Sequence, residues 1–333
     1  MQPPLPARRQ APPTGVIETL SAGYAALNRQ LWVLLLPVLV DLFLWLGPHV
    51  SYSPLVDPAV TRATEWTRQV ALGPRRGTRA PQTLQLATTL DATRQWLIGQ
   101  ADDVNALSLL VWGPLALPAP AVAPTASGEL RFVTAWSQGL GLASACLVAG
   151  LLLGAWFYRG LAAASTGAQA ADPLSTGRSV PRAVLRTLGL VAALLGVAAL
   201  LGLPVVLLVA FTALVSPPVA ILGALLLVAA LVFAALHLFF AIDAIFVSNV
   251  GPLAAIQRSV GLVRRYLWSS LALIGLTWLI LTGMARVWDL LGSTLQAPYG
   301  VALGIFGNAY IASGLIAAGM IFYSERAETA EHS

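Results

Sequence analysis

The sequence predicts an all-α protein, a polytopic membrane helical bundle with six transmembrane helices. Of its 333 residues, 57% are hydrophobic and only 10% are charged, whereas a soluble domain carries about 25% charged residues. The mean hydropathy is +0.78, and several apolar stretches reach the roughly 20 residues that a helix needs to cross a bilayer. This composition excludes an ordinary soluble enzyme. It also excludes a disordered chain, which needs low hydrophobicity and high charge.

The chain begins with two segments that precede the first apolar stretch. Residues 1–14 are rich in proline and are predicted to form a disordered N-terminal tail. From residue 15 to 30, apolar residues recur at steps of three and four, which places them on one helical face. They are Ile17, Leu20, Tyr24 and Leu27, followed by Leu31. We expect residues 15–30 to form an interfacial helix that lies in the headgroup layer.

Six apolar segments follow and are predicted to span the membrane. Their bounds are 31–47, 137–158, 187–215, 219–247, 267–290 and 299–323. The third and fourth are longer than a hydrocarbon core of about 30 Å requires, so we expect tilt, overhang or a kink at Pro204. Only Ser216-Pro217-Pro218 separates these two segments, which permits nothing longer than a tight hairpin.

The polar segments complete the predicted layout. Residues 48–136 form one large exported loop, with probable helices at 57–72 and 82–101 and an apolar stretch, Ala106 to Leu117, that is too short to span. The shorter segments are a cytoplasmic loop at 159–186, an interfacial helix at 252–265 and a cytoplasmic tail at 324–333.

The arginines predict the orientation. All 19 basic residues are arginine, and basic residues accumulate on the cytoplasmic side of membrane helices. With both termini in the cytoplasm, two of the three exported loops contain no arginine. The third is long enough to be exported regardless of its charge. The usage of Arg, Ala, Leu and Gly favours a bacterial source, so we expect a multi-pass protein of the bacterial cytoplasmic (inner) membrane.

The clearest local pattern is IDAIFVSNVGPLAAIQRSVGLVRRYLW, residues 242–268. Gly251-Pro252 is a typical helix entry, and the basic residues of the interfacial helix, Arg258, Arg264 and Arg265, stay off its apolar stripe. This segment resembles the interfacial helix of the multi-pass family that includes the membrane domain of glycerophosphoryl diester phosphodiesterases. The similar positions are Ala255, Arg258, Ser259, Leu262, Val263, Arg264 and Trp268. Near the C-terminus, IFYSERAE is similar to the family's Y-x-x-R ending through Tyr323 and Arg326.

The resemblance covers mainly residues 242–326 and the six-span layout. It implies a membrane module, and it brings no catalytic residue with it because no phosphodiesterase domain is attached. The large loop after the first span departs from the family pattern.

Three charged residues within apolar segments are candidates for a polar site in the membrane. Asp41 lies inside LLLPVLVDLFLWLG, where a carboxylate costs about 2.5–3.5 kcal/mol on insertion scales. Arg286 and Asp289 are three residues apart, so they share a helical face and can pair. Because all three are predicted near the exported side, we hypothesise a cluster; a structural salt bridge at the membrane edge is the alternative.

Two glycine pairs bear on helix packing, and the absence of known enzyme motifs bears on catalysis. Gly150 with Gly154 and Gly300 with Gly304 are GxxxG patterns, which permit close helix packing. The chain contains no Walker loop, no HExxH and no GxSxG, and its single cysteine, Cys146, cannot form an internal disulfide. We expect no catalytic residues, no metal and no cofactor.

These observations predict a non-enzymatic scaffold, assembly or accessory subunit that acts through helix packing and its exported loop. A small transporter or channel that uses Asp41 with Arg286 and Asp289 is the first alternative. A lipid-related membrane enzyme, by the family resemblance alone, is the second. The expected partners are the lipid bilayer and other membrane proteins, and not nucleic acid, because arginines that flank membrane helices serve topology.

Overall fold

The computed structural model describes residues 14–71, 80–118, 130–167, 173–295 and 298–331. The tail predicted at 1–14 therefore lies outside the described residues except for Thr14. The described chain is almost entirely helical. Its α-helices are α1 (Val16–Arg29), α2 (Leu35–Leu46), α3 (Ser53–Ala71), α4 (Ala80–Asp103), α5 (Trp136–Ser165), α6 (Pro173–Val197), α7 (Leu203–Val215), α8 (Pro217–Leu238), α9 (Ala241–Val247), α10 (Pro252–Arg265), α11 (Leu267–Thr294) and α12 (Tyr299–Glu331).

Several of these helices are long and apolar enough to cross a membrane, which confirms the predicted all-α membrane bundle. Within the described residues, five segments meet this criterion: Trp136–Ser165, Ser179–Thr212, Pro218–Val247, Leu267–Thr294 and Tyr299–Ala327. A sixth is reached only when Val16–Arg29 and Leu31–Leu46 are taken together as one span that bends by 88°. The first predicted span, 31–47, corresponds to a 3₁₀ turn over Leu31–Leu34 and α2.

Helix α1 packs on protein with a face that overlaps the predicted apolar face in part, through Leu27. Its buried residues are Thr19, Gly23, Ala26 and Leu27, and it lies along α12. Ile17, which belongs to the predicted apolar face, is 75% exposed. Small side chains line the contact because they let the two backbones approach closely, whereas an apolar pattern alone does not distinguish a protein-facing side from a lipid-facing one.

The long third segment contains a stretch of wider helix just before its proline. Five residues in π-helical geometry, Ala198–Gly202, separate α6 from α7. Pro204 lies two residues further on, and a proline ring removes one backbone N–H and crowds the preceding turn, which a wider turn relieves. The predicted tight hairpin is present, because α7 ends at Val215 and α8 begins at Pro217.

Two segments predicted as polar loops are mostly helical. Helix α5 continues to Ser165 and α6 already begins at Pro173, so most of the predicted loop at 159–186 belongs to helices. Likewise α12 runs to Glu331 through the predicted tail at 324–333. A drop in hydropathy marks where a helix leaves the apolar layer, but it does not end the backbone hydrogen bonding of the helix.

The chain divides into two compact units, residues 39–151 and residues 1–38 with 152–333. In the smaller unit, α3 and α4 pack together close to the predicted bounds. A short parallel pair, β1 (His49–Ser51) and β2 (Leu130–Phe132), was not predicted. The Asn105 side chain secures β1, because its Oδ1 accepts from Val50 N at 3.1 Å and its Nδ2 donates to Pro48 O at 3.1 Å.

The larger unit is built around α12. Over half of the apolar part of this helix is buried, 56%, against none in the apolar part of Ser179–Thr212. It packs against α1, α9, α10 and α11. Phe240 and Phe322 stack with their ring centroids 5.2 Å apart, and both are fully buried. The core of this unit therefore follows α12, while the span from Ser179 to Thr212 contributes to it only near its start, through Val180, Ala183, Thr187 and Leu190.

Candidate functional site

Asp41 is the most buried of the predicted site residues. It lies in α2, its side chain is 1% exposed, and neither carboxyl oxygen has a hydrogen-bond partner among the described residues. A buried polar group without a partner carries a desolvation cost of about 1–3 kcal/mol. A carboxyl group kept at that cost is a candidate proton or cation site in a membrane segment.

Arg286 and Asp289 form the predicted pair within α11. Arg286 Nη1 lies 4.0 Å from Asp289 Oδ2, and the side chains are 86% and 58% exposed. Trp288, between them in sequence, is buried, and a Cβ on Gly307 of α12 would clash with its ring. The pair therefore lies on the side of α11 that faces away from α12. Asp41 belongs to the other compact unit, and its grouping with this pair stays a prediction.

Two of the four predicted GxxxG glycines, Gly150 and Gly300, lie at close contacts within the chain. A Cβ on Gly150 would clash with the carbonyl oxygen of Leu110, in the 3₁₀ turn Ala106–Leu110. A Cβ on Gly300 would lie 2.8 Å from Leu295 O, at the connection between α11 and α12. Gly154 and Gly304 are also buried.

The interfacial basic helix forms at its predicted bounds as α10. Its buried face consists of Ala255, Ser259, Leu262 and Val263. Ser259 donates to the carbonyl oxygen of His237 at 2.7 Å, which ties α10 to α8. Arg264 and Arg265 are exposed and Arg258 is half-buried. The arginines therefore border the packed face of α10.

Arg326 is buried at the end of α12, whereas the sequence places it in a polar tail. Its side chain is 3% exposed, and Nη2 donates to Thr14 O at 2.9 Å. The guanidinium carbon lies 3.5 Å from the Phe322 ring centroid and 5.6 Å from that of Tyr266. Glu325 Oε2 is 3.7 Å from Nη1. In the sequence this residue belongs to the Tyr323–Arg326 ending, which does not predict its burial.

A second arginine cluster was missed by the sequence analysis. Arg159 Nη2 donates to Asn249 Oδ1 at 2.9 Å, and Arg186 donates to the same oxygen. Asn249 has a positive φ of 56°, a backbone conformation that asparagine tolerates better than most residues. The sequence Ser-Asn-Val-Gly around it is typical of a turn. Arg159, near the end of α5, and Arg186, in the middle of α6, thus converge on the connection between α9 and α10.

No family model, curated protein or solved structure matches this chain. The resemblance to the membrane domain of glycerophosphoryl diester phosphodiesterases therefore stays a prediction. Among the described residues, no group of three or more His, Cys, Asp or Glu side chains could hold a metal ion.

Proposed function

We propose that this chain is a non-enzymatic accessory subunit of the bacterial cytoplasmic membrane that binds a second protein through α3 and α4. Both termini lie in the cytoplasm in this proposal, as the arginine distribution favours, and α3 and α4 lie on the outer side. The observation that carries the proposal is the exposure of Trp66 and Trp96, 67% and 62%, on a pair of polar helices.

The two helices form a defined platform for these side chains. Arg94 of α4 donates to Asp57 Oδ1 of α3 at 2.9 Å and to Thr61 Oγ1 at 3.0 Å. Such cross-links reduce the conformational freedom that binding would otherwise have to remove. The helix pair can therefore present its exposed aromatic residues without refolding.

The surface beside Trp96 is suited to a protein side chain. Thr88, Thr89, Ala92 and Thr93 line a shallow concave surface with Trp96, all along one side of α4. Small residues leave room for an incoming group, and exposed tryptophan is the residue type most enriched at the energetic centres of protein interfaces. Two exposed tryptophans on otherwise polar helices therefore favour a protein-binding surface over a surface that contacts only solvent.

Site-specific photocrosslinking in the native host tests this proposal. A photoreactive amino acid in place of Ala92 should give a discrete adduct with one protein. The substitution Trp96→Ser in the same chain should reduce the adduct at least about tenfold, because truncating an interface tryptophan costs about 2 kcal/mol or more. The same photoreactive residue at Asp91, on the other side of α4, is the matched control.

Two results would contradict the accessory-subunit proposal. One is equal crosslinking from positions 92 and 91, which would indicate random collisions. The other is an adduct at position 92 that does not change when Trp96 is replaced.

A transporter or channel that uses Asp41 is the second candidate function. It is favoured by the burial of Asp41 and by the absence of hydrogen-bond partners for its carboxyl oxygens among the described residues. A proton site needs a carboxyl group that can change its charge, and a cation site needs one that can be ionised. We expect Asp41→Asn to abolish proton or cation flux in proteoliposomes while the protein keeps its thermal stability.

The apolar replacement Asp41→Leu separates this function from a structural role. If Asp41 has no internal partner, Asp41→Leu removes an unsatisfied polar group and raises the free energy of unfolding by about 1–3 kcal/mol. A fall in stability would show that the carboxyl group is bonded and structural. Unchanged flux in Asp41→Asn would eliminate the transport function.

A further inference from the structure

Three arginines of α5 and α6 gather at the connection between α9 and α10. Asn249 Oδ1 accepts hydrogen bonds from both Arg159 and Arg186. Arg182, one turn before Arg186 on α6, is the third, and its charge acts on Arg159. These three arginines are called the arginine cluster below. The cluster brings three positive charges together beside one neutral amide group.

No acidic side chain compensates these charges within the part of the chain that the structure describes. The charges that act on Arg159 are those of the other two arginines, and both repel it. None of the three arginines takes part in an ion pair with a described residue. Asp243 of the neighbouring helix α9 directs its Oδ2 towards α12, 3.3 Å from the position of a Cβ on Gly319. The counter-charge of the cluster would therefore come from a ligand.

Contacts around the cluster hold its donors in place. The guanidinium carbon of Arg159 lies 5.9 Å from the centroid of the Phe246 ring. A Cβ on Gly189 would lie 2.7 Å from Pro252 Cγ, so α6 packs closely against the start of α10, three residues after Asn249. Because the donors are fixed in advance, an incoming anion loses less of its binding energy to ordering them.

The hydrogen-bonding groups of the cluster are open to a ligand. Both hydrogen bonds to Asn249 lie at exposed positions. Arg182 is exposed and Arg186 is half-buried. Arginine recognises phosphate through paired, charge-assisted hydrogen bonds. A phosphate group carries several acceptor oxygens, so it can bridge guanidinium groups that come from two helices.

The cluster lies at the level where the apolar segments end. Arg159 directly follows the second predicted span, and Arg186 directly precedes the third. Leu185 and Leu188, on either side of Arg186 along α6, are exposed. Basic sites between membrane helices at this level bind the headgroups of anionic lipids. Exposed leucines beside such a site offer a contact for the acyl chains.

We propose that the arginine cluster binds the phosphate group of an anionic ligand through Arg159, Arg182 and Arg186. A phospholipid headgroup and a soluble phosphate share this chemistry. The position of the cluster at the ends of two apolar segments and the exposed leucines beside it favour the lipid.

The substitution Asn249→Asp tests the site by placing the missing counter-charge inside the chain. Aspartate has nearly the shape of asparagine and is also enriched at positive φ. Its carboxylate would pair with Arg159 and Arg186, so it would compete with the ligand and raise the unfolding temperature of the ligand-free chain. Gln257→Glu is the matched control. It makes the same amide-to-carboxylate change at an exposed residue of α10 that has no arginine three or four residues away.

A second variant removes charge from the cluster without adding a carboxylate. The double substitution Arg182→Gln/Arg186→Gln leaves Arg159 as the last arginine of the cluster. Its control is Arg29→Gln/Arg264→Gln, which removes two exposed arginines elsewhere. The two double variants have the same net charge, so a difference between them depends on position.

The binding experiment uses the full chain purified in a neutral detergent, with phosphatidylglycerol, inorganic phosphate and diacylglycerol as probes. Native mass spectrometry measures bound lipid, and thermal unfolding measures the stabilisation by each probe. We expect the original chain and both controls to bind phosphatidylglycerol equally. Asn249→Asp and Arg182→Gln/Arg186→Gln should bind it at least about tenfold more weakly, because hydrogen bonds between charged groups are lost.

Every outcome decides for or against the site. Phosphatidylglycerol binding that is lost in Asn249→Asp and kept in Gln257→Glu identifies a lipid headgroup. Stabilisation by inorganic phosphate with the same pattern identifies a soluble phosphate. The proposal is overturned if neither probe binds the original chain, or if either cluster variant binds as tightly as its control. It is also overturned if diacylglycerol binds as tightly as phosphatidylglycerol.

Discussion

Two arginines at the residue scale illustrate how the environment decides the role of a side chain. Arg94 is 38% exposed and bridges two polar helices through Asp57 and Thr61. Arg326 is almost completely buried, against two aromatic rings. The first acts as a surface cross-link, whose contribution is weakened by solvent. The second is a buried charge, held by the carbonyl oxygen of Thr14 and by the Phe322 ring.

The cross-link at Arg94 has a predicted pH dependence. The hydrogen bond from Arg94, followed by that from Thr61, holds the pKa of Asp57 below its ordinary value of 3.8. Because the folded pKa lies below the unfolded one, the interaction stabilises the helix pair above about pH 4. That stabilisation is lost as the pH falls through the lowered pKa.

Carboxyl-carbon NMR titration of Asp57 checks this prediction. We expect Arg94→Gln to raise the pKa of Asp57 towards its ordinary value. Arg62→Gln is the control. Arg62 is an exposed arginine on α3, the helix of Asp57, and none of the described hydrogen bonds joins it to Asp57. An identical titration curve for Asp57 in the original chain and in Arg94→Gln would contradict the assigned cause.

At the scale of elements, the contact between α1 and α12 depends on the absence of a side chain at Gly23. A Cβ there would lie 2.6 Å from Ala318 N and 2.7 Å from Gly314 O. Both atoms belong to the backbone of α12, which cannot rotate away as a flexible side chain could. Any larger residue therefore has to push α1 off α12.

We expect Gly23→Ala to lower the free energy of unfolding by about 1–3 kcal/mol, the usual cost of overpacking. This cost outweighs the gain in helix propensity, which is at most about 1 kcal/mol. Thermal unfolding in detergent measures the difference. Gly275→Ala should leave the transition unchanged or slightly higher, since the space around Gly275 is open. Equal transitions for the two variants would show that α1 does not rely on this close contact.

At the scale of the whole molecule, the bend between α1 and α2 decides the topology. The segment Leu31–Leu46 covers about 24 Å as a helix, less than the roughly 30 Å of the hydrocarbon core. If it crosses with help from α1 or from local thinning of the bilayer, the chain has six spans and both termini share one side. If it does not cross, five spans place the termini on opposite sides.

Reporter fusions after Gly15, near Asp91 and after Glu331 test the six-span layout. We expect the fusions at Gly15 and Glu331 to report the cytoplasm and the fusion near Asp91 to report the outer side. The physical reason is the excess of arginine in the predicted cytoplasmic segments. Termini in opposite compartments would refute the six-span layout and leave Leu31–Leu46 as a segment that does not cross.

The membrane character and the positions of the helices could be read from local patterns. The interfacial helix at 252–265 coincides with α10, and the hairpin at Ser216 follows from two consecutive prolines. The ends of α5, α6 and α12 could not be read in this way, because hydropathy reports the environment of a residue and not its backbone hydrogen bonds. The strands β1 and β2 are too short, at three residues each, to show an alternating pattern.

The amino-acid sequence by itself determined that the chain is helical, apolar and suited to a bilayer, because these properties depend on residues close together along the chain. Only the tertiary structure decided that Arg326 meets Thr14, that Arg159 and Arg186 share Asn249, and that Gly23 touches the backbone of α12. These contacts join residues far apart in the chain. They depend on which helix faces pack together, and no local periodicity encodes that choice.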